Sequence, residues 1–517
     1  MPEIELKLAL DRAAVSRAAN LARHPAVVAV RRGRLRTSRV ISTYYDTPGF
    51  DLEHAGIALR LRRDGARWLQ TVKGPPLASD GAALHAHDER EWRLPRPSLD
   101  HALLMQTPWH KLFSKAEKNG KLAPLFATDV VRRALALEFP EGTTATLAID
   151  VGTIQTKRPA GHRAGIAEIE IEIGNGTPLP AYALALALLD DWPLSIATAT
   201  KAARGYALVR GEPEEGKAPV RAEAVEFAPD DPADQALRAV AQGCLRHIAG
   251  NAAGLVAAAD PEWVHQMRIG TRRLRSCLGL LEVIAGAKRV APLVKEVRWL
   301  AAILGAARDW DVLATETLSP LAAALDQDPA AHKDLARLRR SIGGHRSAAR
   351  KAARDAVRSP RFQRMILSIG AFCAEPAEAH ANPVESAQMF AEKLLAHRHA
   401  KLLERGAALE AGTPEERHAV RIAAKKLRYA AEFFSPPHPR KRNRAYIKAL
   451  SRLQDALGQA QDAVTAVRLT EGIARKGDDA TVGAVRGWVA AQTVVLGPDI
   501  GRAWKKFVAA KPFWGGG

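Results

Sequence analysis

The spacing of the apolar residues changes once along this chain, near residue 210. Before that point apolar and charged residues alternate one by one, as in residues 3–8 (Glu-Ile-Glu-Leu-Lys-Leu), 58–62 (Ala-Leu-Arg-Leu-Arg) and 168–173 (Glu-Ile-Glu-Ile-Glu-Ile). A period of two is typical of β-strands, whose side chains point alternately to opposite faces. The first part of the chain is therefore predicted to be built of strands.

The rest of the chain has a helical pattern. Residues 233–517 are rich in alanine, leucine and arginine, with long stretches that lack proline, which predicts helices. Between the halves, residues 211–232 are acidic and contain several prolines, as linkers do. We predict a strand domain over 1–210, a linker over 211–232 and a helical domain over 233–517. The three cysteines lie far apart, which indicates neither disulfides nor a zinc site.

A basic pattern occurs twice in the helical half, at an offset of 153 residues. The first copy is His265, Arg268, Arg272, Arg273 and Arg275, and the second is His418, Arg421, Lys425, Lys426 and Arg428. Leu304-Gly305 and Asp309 return at the same offset as Leu457-Gly458 and Asp462. Matches in register predict a duplicated helical unit related by a pseudo-twofold axis.

Four residues of each copy share one helix face, because their spacing follows the helical period. They are His265, Arg268, Arg272 and Arg275 in the first copy, and His418, Arg421, Lys425 and Arg428 in the second. Most of the net charge of +20 lies in this half of the chain, which favours an anionic partner. Nucleic acid is the rival of a linear polyanion, but base stacking needs exposed aromatic rings. Only Tyr429 lies beside these basic residues in the sequence, which disfavours nucleic acid.

The strand half carries charge of both signs on its polar faces. Glu3, Glu5 and Lys7 project to one side of a strand, and the glutamates of residues 168–172 do the same. An eight-stranded barrel that turned these faces inward, beside Arg60, Arg62 and Lys73, would hold carboxylates near one region and cations near another. Phosphates need the cations and Mg²⁺ needs the carboxylates. The plain alternative is an antiparallel sheet with one solvated face.

The strand half resembles the CYTH family, the triphosphate tunnel metalloenzymes, through motifs that occur in the family's order. These are Glu3-x-Glu5-x-Lys7, Tyr44-Tyr45-Asp46-Thr47, Ala58-Leu59-Arg60-Leu61-Arg62, Thr71-Val72-Lys73-Gly74, Phe126-x-Thr128 with Arg132 or Arg133, Asp150-x-Gly152, Glu168-x-Glu170-x-Glu172 and Lys201-x-x-Arg204-Gly205-Tyr206. The likeness implies a closed antiparallel eight-stranded barrel.

The same resemblance implies roles for individual residues. Phosphates are expected to bind Lys7, Arg60, Arg62, Lys73, Arg132 and Lys201, and metal is expected at Glu3, Glu5, Glu168, Glu170 and Glu172. Catalysis is assigned to Glu3, Glu5, Lys7 and Lys73. One departure is His87, which stands where relatives often carry arginine. A phosphate contact at that position would be weaker or dependent on pH.

The repeated basic pattern resembles the CHAD family of helical domains, over roughly residues 233–510. The likeness implies that polyphosphate binds through the histidine, arginine and lysine residues of both copies. It implies no catalysis in this half.

We therefore predict an α+β multidomain protein, with the barrel tunnel followed by all-α helical bundles. Its predicted function is metal-dependent hydrolysis of inorganic triphosphate with Mg²⁺ or Mn²⁺, joined to polyphosphate binding. Two alternatives stay open: a tunnel enzyme for a nucleotide or thiamine triphosphate, and a non-catalytic polyphosphate-binding scaffold. The longest apolar run is too short for a bilayer span, so a cytoplasmic location is expected and no membrane partner. Association with polyphosphate granules is a further expectation. Nucleic acid is not expected as a partner.

Overall fold

The computed structural model describes residues 2–77, 81–119, 121–157, 160–213, 218–376, 385–407, 409, 413–435, 441–475 and 478–514. The chain divides into two compact units. The first comprises residues 1–220, 245–258 and 357–376, and the second comprises 221–244, 259–356 and 377–517. Two segments of the helical half thus belong to the first unit.

The described residues of the first unit form nine strands. They are β1 (Pro2–Leu10), β2 (Arg31–Asp46), β3 (Ala58–Asp64), β4 (Arg67–Pro76), β5 (Leu84–Leu94), β6 (Ala123–Glu138), β7 (Thr144–Lys157), β8 (Ala160–Asn175) and β9 (Leu194–Ile196). Eight follow the order β5-β4-β3-β2-β6-β7-β8-β1, and β1 pairs back onto β5, which closes the barrel. All pairings are antiparallel. The predicted closed eight-stranded barrel is confirmed.

The main apolar core of this unit lies outside the barrel wall. Leu6, Leu8, Ile169 and Ile171 are almost fully buried and belong to one cluster with residues of the short helices. Because neighbouring residues on a strand point to opposite faces, the charged residues between them face the barrel interior. The burial of leucine and isoleucine outside therefore fixes which charges lie inside.

Short helices cover the barrel: a 3-10 helix (Arg12–Arg23), α1 (Pro25–Val28), α2 (Asp51–His54), α3 (His101–Leu104), α4 (His110–Asn119), α5 (Leu179–Asp191) and α6 (Lys201–Arg210). Helix α5 joins the core cluster through Leu184 and Leu188, and Leu367 from the helical half packs into the same cluster. Helix α6 begins at Lys201, where Thr200 caps it by accepting a hydrogen bond from the Ala203 amide.

The remainder of the described chain is helical. Its elements are α7 (Ala233–Ala257), α8 (Glu262–Ala285), α9 (Ala287–Val312), a π-helical turn (Leu313–Leu318), α10 (Ser319–Ala324), α11 (Pro329–Arg358), α12 (Pro360–Ala374), α13 (Ala387–Gly406), α14 (Pro414–Phe433), α15 (Lys441–Ile473) and α16 (Asp479–Val508). None of the helices in the described residues combines the length and apolar character that a bilayer span requires.

The sequence repeat corresponds to a repeat in the order of helices. The first basic pattern lies on α8 and the second on α14, while Asp309 lies on α9 and Asp462 on α15. Within the second unit α8 packs on α9, α14 packs on α15, and α8 also contacts α14. In the predicted linker, residues 211–213 and 218–232 form no helix or strand, and residues 214–217 lie outside the described residues.

A charged tunnel in the barrel as the candidate active site

The barrel encloses a cavity of about 510 Å³ whose wall carries both signs of charge. Ten of the predicted site residues line it: Glu3, Glu5, Lys7, Arg60, Arg62, Lys73, Arg132, Glu170, Glu172 and Lys201. Glu168, the remaining one, is buried and forms an ion pair with Lys201. The structure thus brings together, in one cavity, residues from β1, β3, β4, β6, β8 and α6.

Glu170 is the centre of the first group of charges. Its Oε1 lies 2.9 Å from the Nζ atoms of both Lys7 and Lys201, and its Oε2 accepts a hydrogen bond of 2.7 Å from Arg132. Burial by itself would raise the pKa of Glu170, but Lys201, Lys7 and Arg132 outweigh it and hold that pKa well below its usual value. Glu170 is therefore ionised and keeps three phosphate-binding candidates in place.

Asp150 supports the same cations from β7. Arg132 donates two hydrogen bonds to it, of 2.8 and 2.6 Å, and the Lys201 amino group lies 2.8 Å from its Oδ2. Asp150 is fully buried. Asp150 belongs to the Asp-x-Gly motif, which is the only sequence signal for it, and no role was predicted for it.

Lys73 is the centre of the second group. Its Nζ forms ion pairs with Glu3, with Glu5 at 3.2 Å and with Glu89 at 3.3 Å. Glu89 also lies 3.6 Å from Arg60, and Glu91 lies 3.8 Å from Arg62. Glu89 and Glu91 both lie in the cavity wall.

The carboxylates near Lys73 outnumber the cations that neutralise them. Burial raises the pKa of Glu3 to about 8 against the opposing effect of Lys73, with further increases from Glu5 and Glu89. Burial, Glu5 and Glu89 likewise raise the pKa of Glu172. A surplus of carboxylate oxygens is what a bound divalent cation relieves, so this side of the cavity fits a metal ion.

The opposite imbalance, an excess of positive charge, occurs at Arg62. Burial and the neighbouring guanidinium groups of Arg60 and Arg132 lower the pKa of Arg62. Crowded guanidinium groups in a closed cavity are stabilised by an anion, and arginine matches phosphate oxygens with two parallel donors. The cavity therefore offers an anion site and a cation site within one enclosure.

Two histidines also line the cavity, and both come from β5. The His87 ring lies 2.9 Å from the Gly74 carbonyl through Nδ1, and the His85 ring lies 2.9 Å from the Ala197 carbonyl through Nε2. Burial, together with Lys73, lowers the pKa of His87, while burial and Lys7 lower that of His85 to about 4. His85 was missed in the sequence, although it lies two residues before His87 and so faces the same side of the strand.

Three carboxylates meet the spacing of a metal site. Oxygen atoms of Asp150, Glu168 and Glu170 lie within 4.8 Å of one another. Lys201 reaches all three carboxylates, however. The predicted metal ligands Glu3, Glu5 and Glu172 are not part of this trio, although they line the same cavity. A cation at the trio would have to displace the Lys201 ammonium group, whereas Glu3 and Glu172 lie where negative charge is in excess.

A second charged surface lies in the helical unit, where the two basic patterns meet. Lys425 of α14 lies among Arg272, Arg421, Arg275 and Arg268, and burial together with these charges lowers its pKa to about 7. Burial also lowers the pKa values of Arg268 and Arg421. Positive charge is therefore concentrated at the place where the two faces meet, and a polyanion would relieve it.

Some of the remaining residues of the two patterns are accessible to solvent, and others are held in ion pairs. His418, Lys426 and Arg275 are exposed, and His265 is partly buried on the α8 face. Arg273 and Arg428 are both ion-paired with Glu432. Tyr429, the aromatic residue beside these patterns, is fully buried and packs against Phe433. Because its ring is buried, Tyr429 cannot stack on a nucleic-acid base.

Comparisons with known proteins find a matching family for each half of the chain. The CYTH domain family matches residues 1–206, and the CHAD domain family matches residues 239–471. The crystal structure of the CHAD domain from the plant Ricinus communis is 36% identical, with a TM-score of 0.50, and the match covers 57% of this chain and 98% of that domain. Two uncharacterized proteins from strains of Mycobacterium tuberculosis are 28% identical over 425 residues, which is 76% of this chain and 76% of each relative.

Less similar solved structures also match parts of the chain. A Hippeastrum protein with a dominant triphosphatase activity is 20% identical, with a TM-score of 0.29, over 41% of this chain and 96% of its own. CYTH proteins are triphosphate tunnel enzymes that depend on metal, and CHAD domains are associated with polyphosphate. The barrel, its charged cavity and the paired basic helices identify the chain as a CYTH-family protein that carries a C-terminal CHAD domain.

Proposed function

We propose that the barrel hydrolyses inorganic triphosphate to diphosphate and phosphate with Mg²⁺ or Mn²⁺, and that the helical half binds polyphosphate. The observation that carries the first part is the double imbalance of charge in one cavity. The guanidinium group of Arg62, crowded by those of Arg60 and Arg132, calls for an anion, and the carboxylates around Glu3 and Glu172 call for a cation. A metal–triphosphate complex supplies both.

Substrate binding would exchange ion pairs rather than create new buried charge. Lys73 is neutralised by Glu3, Glu5 and Glu89, and Lys7 by Glu5 and Glu170. When phosphate oxygens take the place of these carboxylates beside the ammonium groups, the carboxylates become available to the metal. The charged groups of the protein are already buried in ion pairs, so substrate binding does not have to remove them from water.

The lysines and arginines of the wall would hold the phosphate chain and stabilise the charge that develops as the terminal phosphoryl group transfers to water. Lys7, Arg60, Arg62, Lys73, Arg132 and Lys201 are assigned this role, with Lys7 and Lys73 nearest to the catalytic pair Glu3 and Glu5. The metal would be held by Glu3, Glu5, Glu168, Glu170 and Glu172. When bound, it neutralises phosphate charge and orients the attacking water.

The wall gives little support for a base or a thiamine ring. Besides the two histidines, the aromatic side chains among the described lining residues are Tyr44 and Tyr206. Tyr44 is already stacked on Phe126 at 4.6 Å between ring centroids, and Tyr206 packs edge-on against the same ring. Both rings belong to a buried cluster. An inorganic chain needs no stacking partner, so it is favoured over a nucleotide or thiamine triphosphate.

Phosphate release from the full-length protein tests this proposal. The substrates are inorganic triphosphate, ATP, thiamine triphosphate and long polyphosphate, each with Mg²⁺, with Mn²⁺ and with EDTA. We expect the highest kcat/KM for inorganic triphosphate and no release with EDTA. Equal release with EDTA contradicts the metal role. Preference for ATP or thiamine triphosphate contradicts the substrate assignment, and no release from any substrate supports the scaffold alternative.

The polyphosphate part rests on the crowded basic residues where α8 meets α14. Arg268, Arg272, Arg421 and Lys425 come from both copies of the pattern, and the pKa values of Arg268, Arg421 and Lys425 are lowered by burial and like charge. A polyphosphate chain, with one negative charge for each phosphate unit, would neutralise these basic side chains one after another and release counterions. The buried Tyr429 disfavours single-stranded nucleic acid as the ligand.

A further inference from the structure

The wall of the barrel cavity contains an arginine that lies outside the residues matched to the CYTH family. Arg246 and Gly250, both on α7, line the cavity together with the strand residues. Residues 245–258 belong to the same compact unit as the barrel. The two residues are four apart, so they lie on one face of the helix.

This segment of α7 is held by specific contacts. Asn251 is fully buried. Its side-chain oxygen accepts a hydrogen bond of 3.0 Å from the Val220 amide, and its side-chain nitrogen donates to the carbonyls of Val220 at 2.9 Å and His247 at 2.7 Å. Leu245 and Ile248 are also fully buried. The backbone that carries Arg246 is therefore fixed at the cavity.

Gly250 adds a steric requirement to these hydrogen bonds. A Cβ atom placed on it would lie 3.2 Å from Cγ2 of Val220, which is tighter than ordinary packing. The absence of a side chain thus lets the helix approach closely at the point where it lines the cavity. Arg246 is one helical turn away and is partly buried, so its guanidinium group is only partly screened by solvent.

We propose that Arg246 is a substrate-binding residue of the barrel, whose guanidinium group binds a phosphate of the triphosphate chain. This inference rests on the proposed triphosphatase function. The lysines and arginines of the strands and α6 hold the phosphates from within residues 1–206, and Arg246 adds a donor from the helical half. The tunnel is then complete only when the helical half is present, which gives the two family domains a shared binding site.

Steady-state kinetics of full-length Arg246→Ala and Arg246→Lys test this role, with inorganic triphosphate and Mg²⁺. We expect the alanine variant to raise KM about tenfold, the loss of one partly screened phosphate contact, with kcat little changed. The lysine variant should restore part of the loss because it keeps the charge. The control is Arg12→Ala, because Arg12 is exposed on the 3-10 helix.

A structural role would have a different signature. Asn251→Ala removes the hydrogen bonds that fix the segment, so it should lower Tm, whereas Arg246→Ala should leave Tm within the range of the control. If Arg246→Ala keeps the wild-type KM, or if its KM rises only together with a lowered Tm that lysine does not rescue, the inference is wrong.

Calorimetric binding of inorganic triphosphate in EDTA separates this inference from the proposed activity. Weaker binding to Arg246→Ala than to wild type supports the inference even if the wild-type protein releases no phosphate. Equal binding to both overturns it and leaves the activity untouched. If the wild-type protein binds no triphosphate in EDTA and also releases no phosphate from it with Mg²⁺ or Mn²⁺, both proposals are wrong.

Discussion

The hydroxyl group of Tyr206 donates a hydrogen bond of 2.9 Å to Oδ2 of Asp46 across 160 residues of sequence. Asp46 is fully buried and also accepts hydrogen bonds from the backbone amides of Thr47, Leu52 and Glu53. Both residues belong to motifs that resemble the CYTH family, but their hydrogen bond has a structural role because it connects β2 to α6. A buried carboxylate is stable only when hydrogen-bond donors satisfy its oxygen atoms.

We predict that Tyr206→Phe lowers the stability of the first unit by about 1–2 kcal/mol, because it leaves one buried carboxylate oxygen short of a donor. Asp46→Ala should cost more, since it leaves three backbone amides and the Tyr206 hydroxyl without their acceptor. Thermal unfolding followed by circular dichroism measures both as a lowered Tm.

Tyr45→Phe is the matched control, because Tyr45 is the adjacent tyrosine and no hydrogen bond of its hydroxyl is found among the described residues. Its Tm should stay close to that of the wild type. A Tyr206→Phe variant as stable as Tyr45→Phe would show that the bond to Asp46 contributes nothing to the fold.

Lys73→Ala should reduce kcat for triphosphate by about 100-fold or more, which is the effect of removing one preorganised donor from a closed site. The substitution also leaves Glu3, Glu5 and Glu89 without their shared cation. Rates at saturating triphosphate and Mg²⁺ measure the loss, with Lys111→Ala on the exposed side of α4 as control. A folded Lys73→Ala enzyme with the wild-type rate contradicts the assignment.

Glu170→Gln should weaken the binding of metal and therefore raise the Mg²⁺ concentration needed for half-maximal rate. It should also lower Tm, because Lys7, Lys201 and Arg132 lose the negative charge that they share. The control is Glu141→Gln, at an exposed position outside the cavity. If the variant keeps the wild-type metal profile and rate, Glu170 is only a counter-ion for the three cations and not a metal ligand.

Strand periodicity predicted the inward-facing charges correctly, because the side chains of Glu3, Glu5 and Lys7 had to lie on one face once Leu6 and Leu8 were buried. The partners of those charges were not predictable in the same way. Lys73 reaches Glu5 only because β5 pairs with β1 and closes the barrel, and no local pattern encodes that pairing.

That α7 lines the cavity could not be predicted from the sequence, for a related reason. A helical period places Arg246 and Gly250 on one face, but it does not say what that face covers. The predicted boundary between residues 210 and 233 remains a prediction, and the compact unit around the barrel also includes residues 245–258 and 357–376. Contacts made over such distances depend on packing that only the folded chain reveals.

The affinity for polyphosphate should depend on pH through Lys425. Its pKa is lowered to about 7 by burial and by Arg272, Arg421, Arg275 and Arg268, so the side chain is charged below that pH and loses its proton above it. A bound polyanion favours the charged form. Affinity should therefore be highest below pH 7 and fall as the pH rises through 7 to 9, by up to about tenfold per pH unit.

Binding titrations of wild type and Lys425→Arg between pH 6 and 9 isolate this effect. Arginine keeps its charge throughout this range, so the part of the pH dependence due to Lys425 should vanish. Contributions from His265 and Asp462, which both interact with Arg268, are common to both proteins. Identical pH profiles for the two proteins would show that Lys425 does not titrate in the binding range.

Replacing Arg268, Arg272, Arg421 and Lys425 together by glutamine should remove most of the affinity of the full-length protein for long polyphosphate. The four residues come from both copies of the repeat and lie where α8 contacts α14. Wild-type affinity should also fall steeply with salt, because several phosphates are neutralised at once, and the variant should show a shallower salt dependence. Helical circular dichroism should be unchanged.

The matched control replaces four exposed basic residues of the same unit, Lys288, Lys333, Arg339 and Arg340, by glutamine. Arg346 and Arg350 are unsuitable for this purpose because both hold the buried Asp311. A general charge effect predicts equal losses from the two sets, whereas a site predicts a much larger loss from the first. Competition with single-stranded RNA of equal charge adds a second criterion. Since Tyr429 is buried, polyphosphate should bind more tightly than the RNA. Tighter binding of the RNA would show that this half is a nucleic-acid-binding domain.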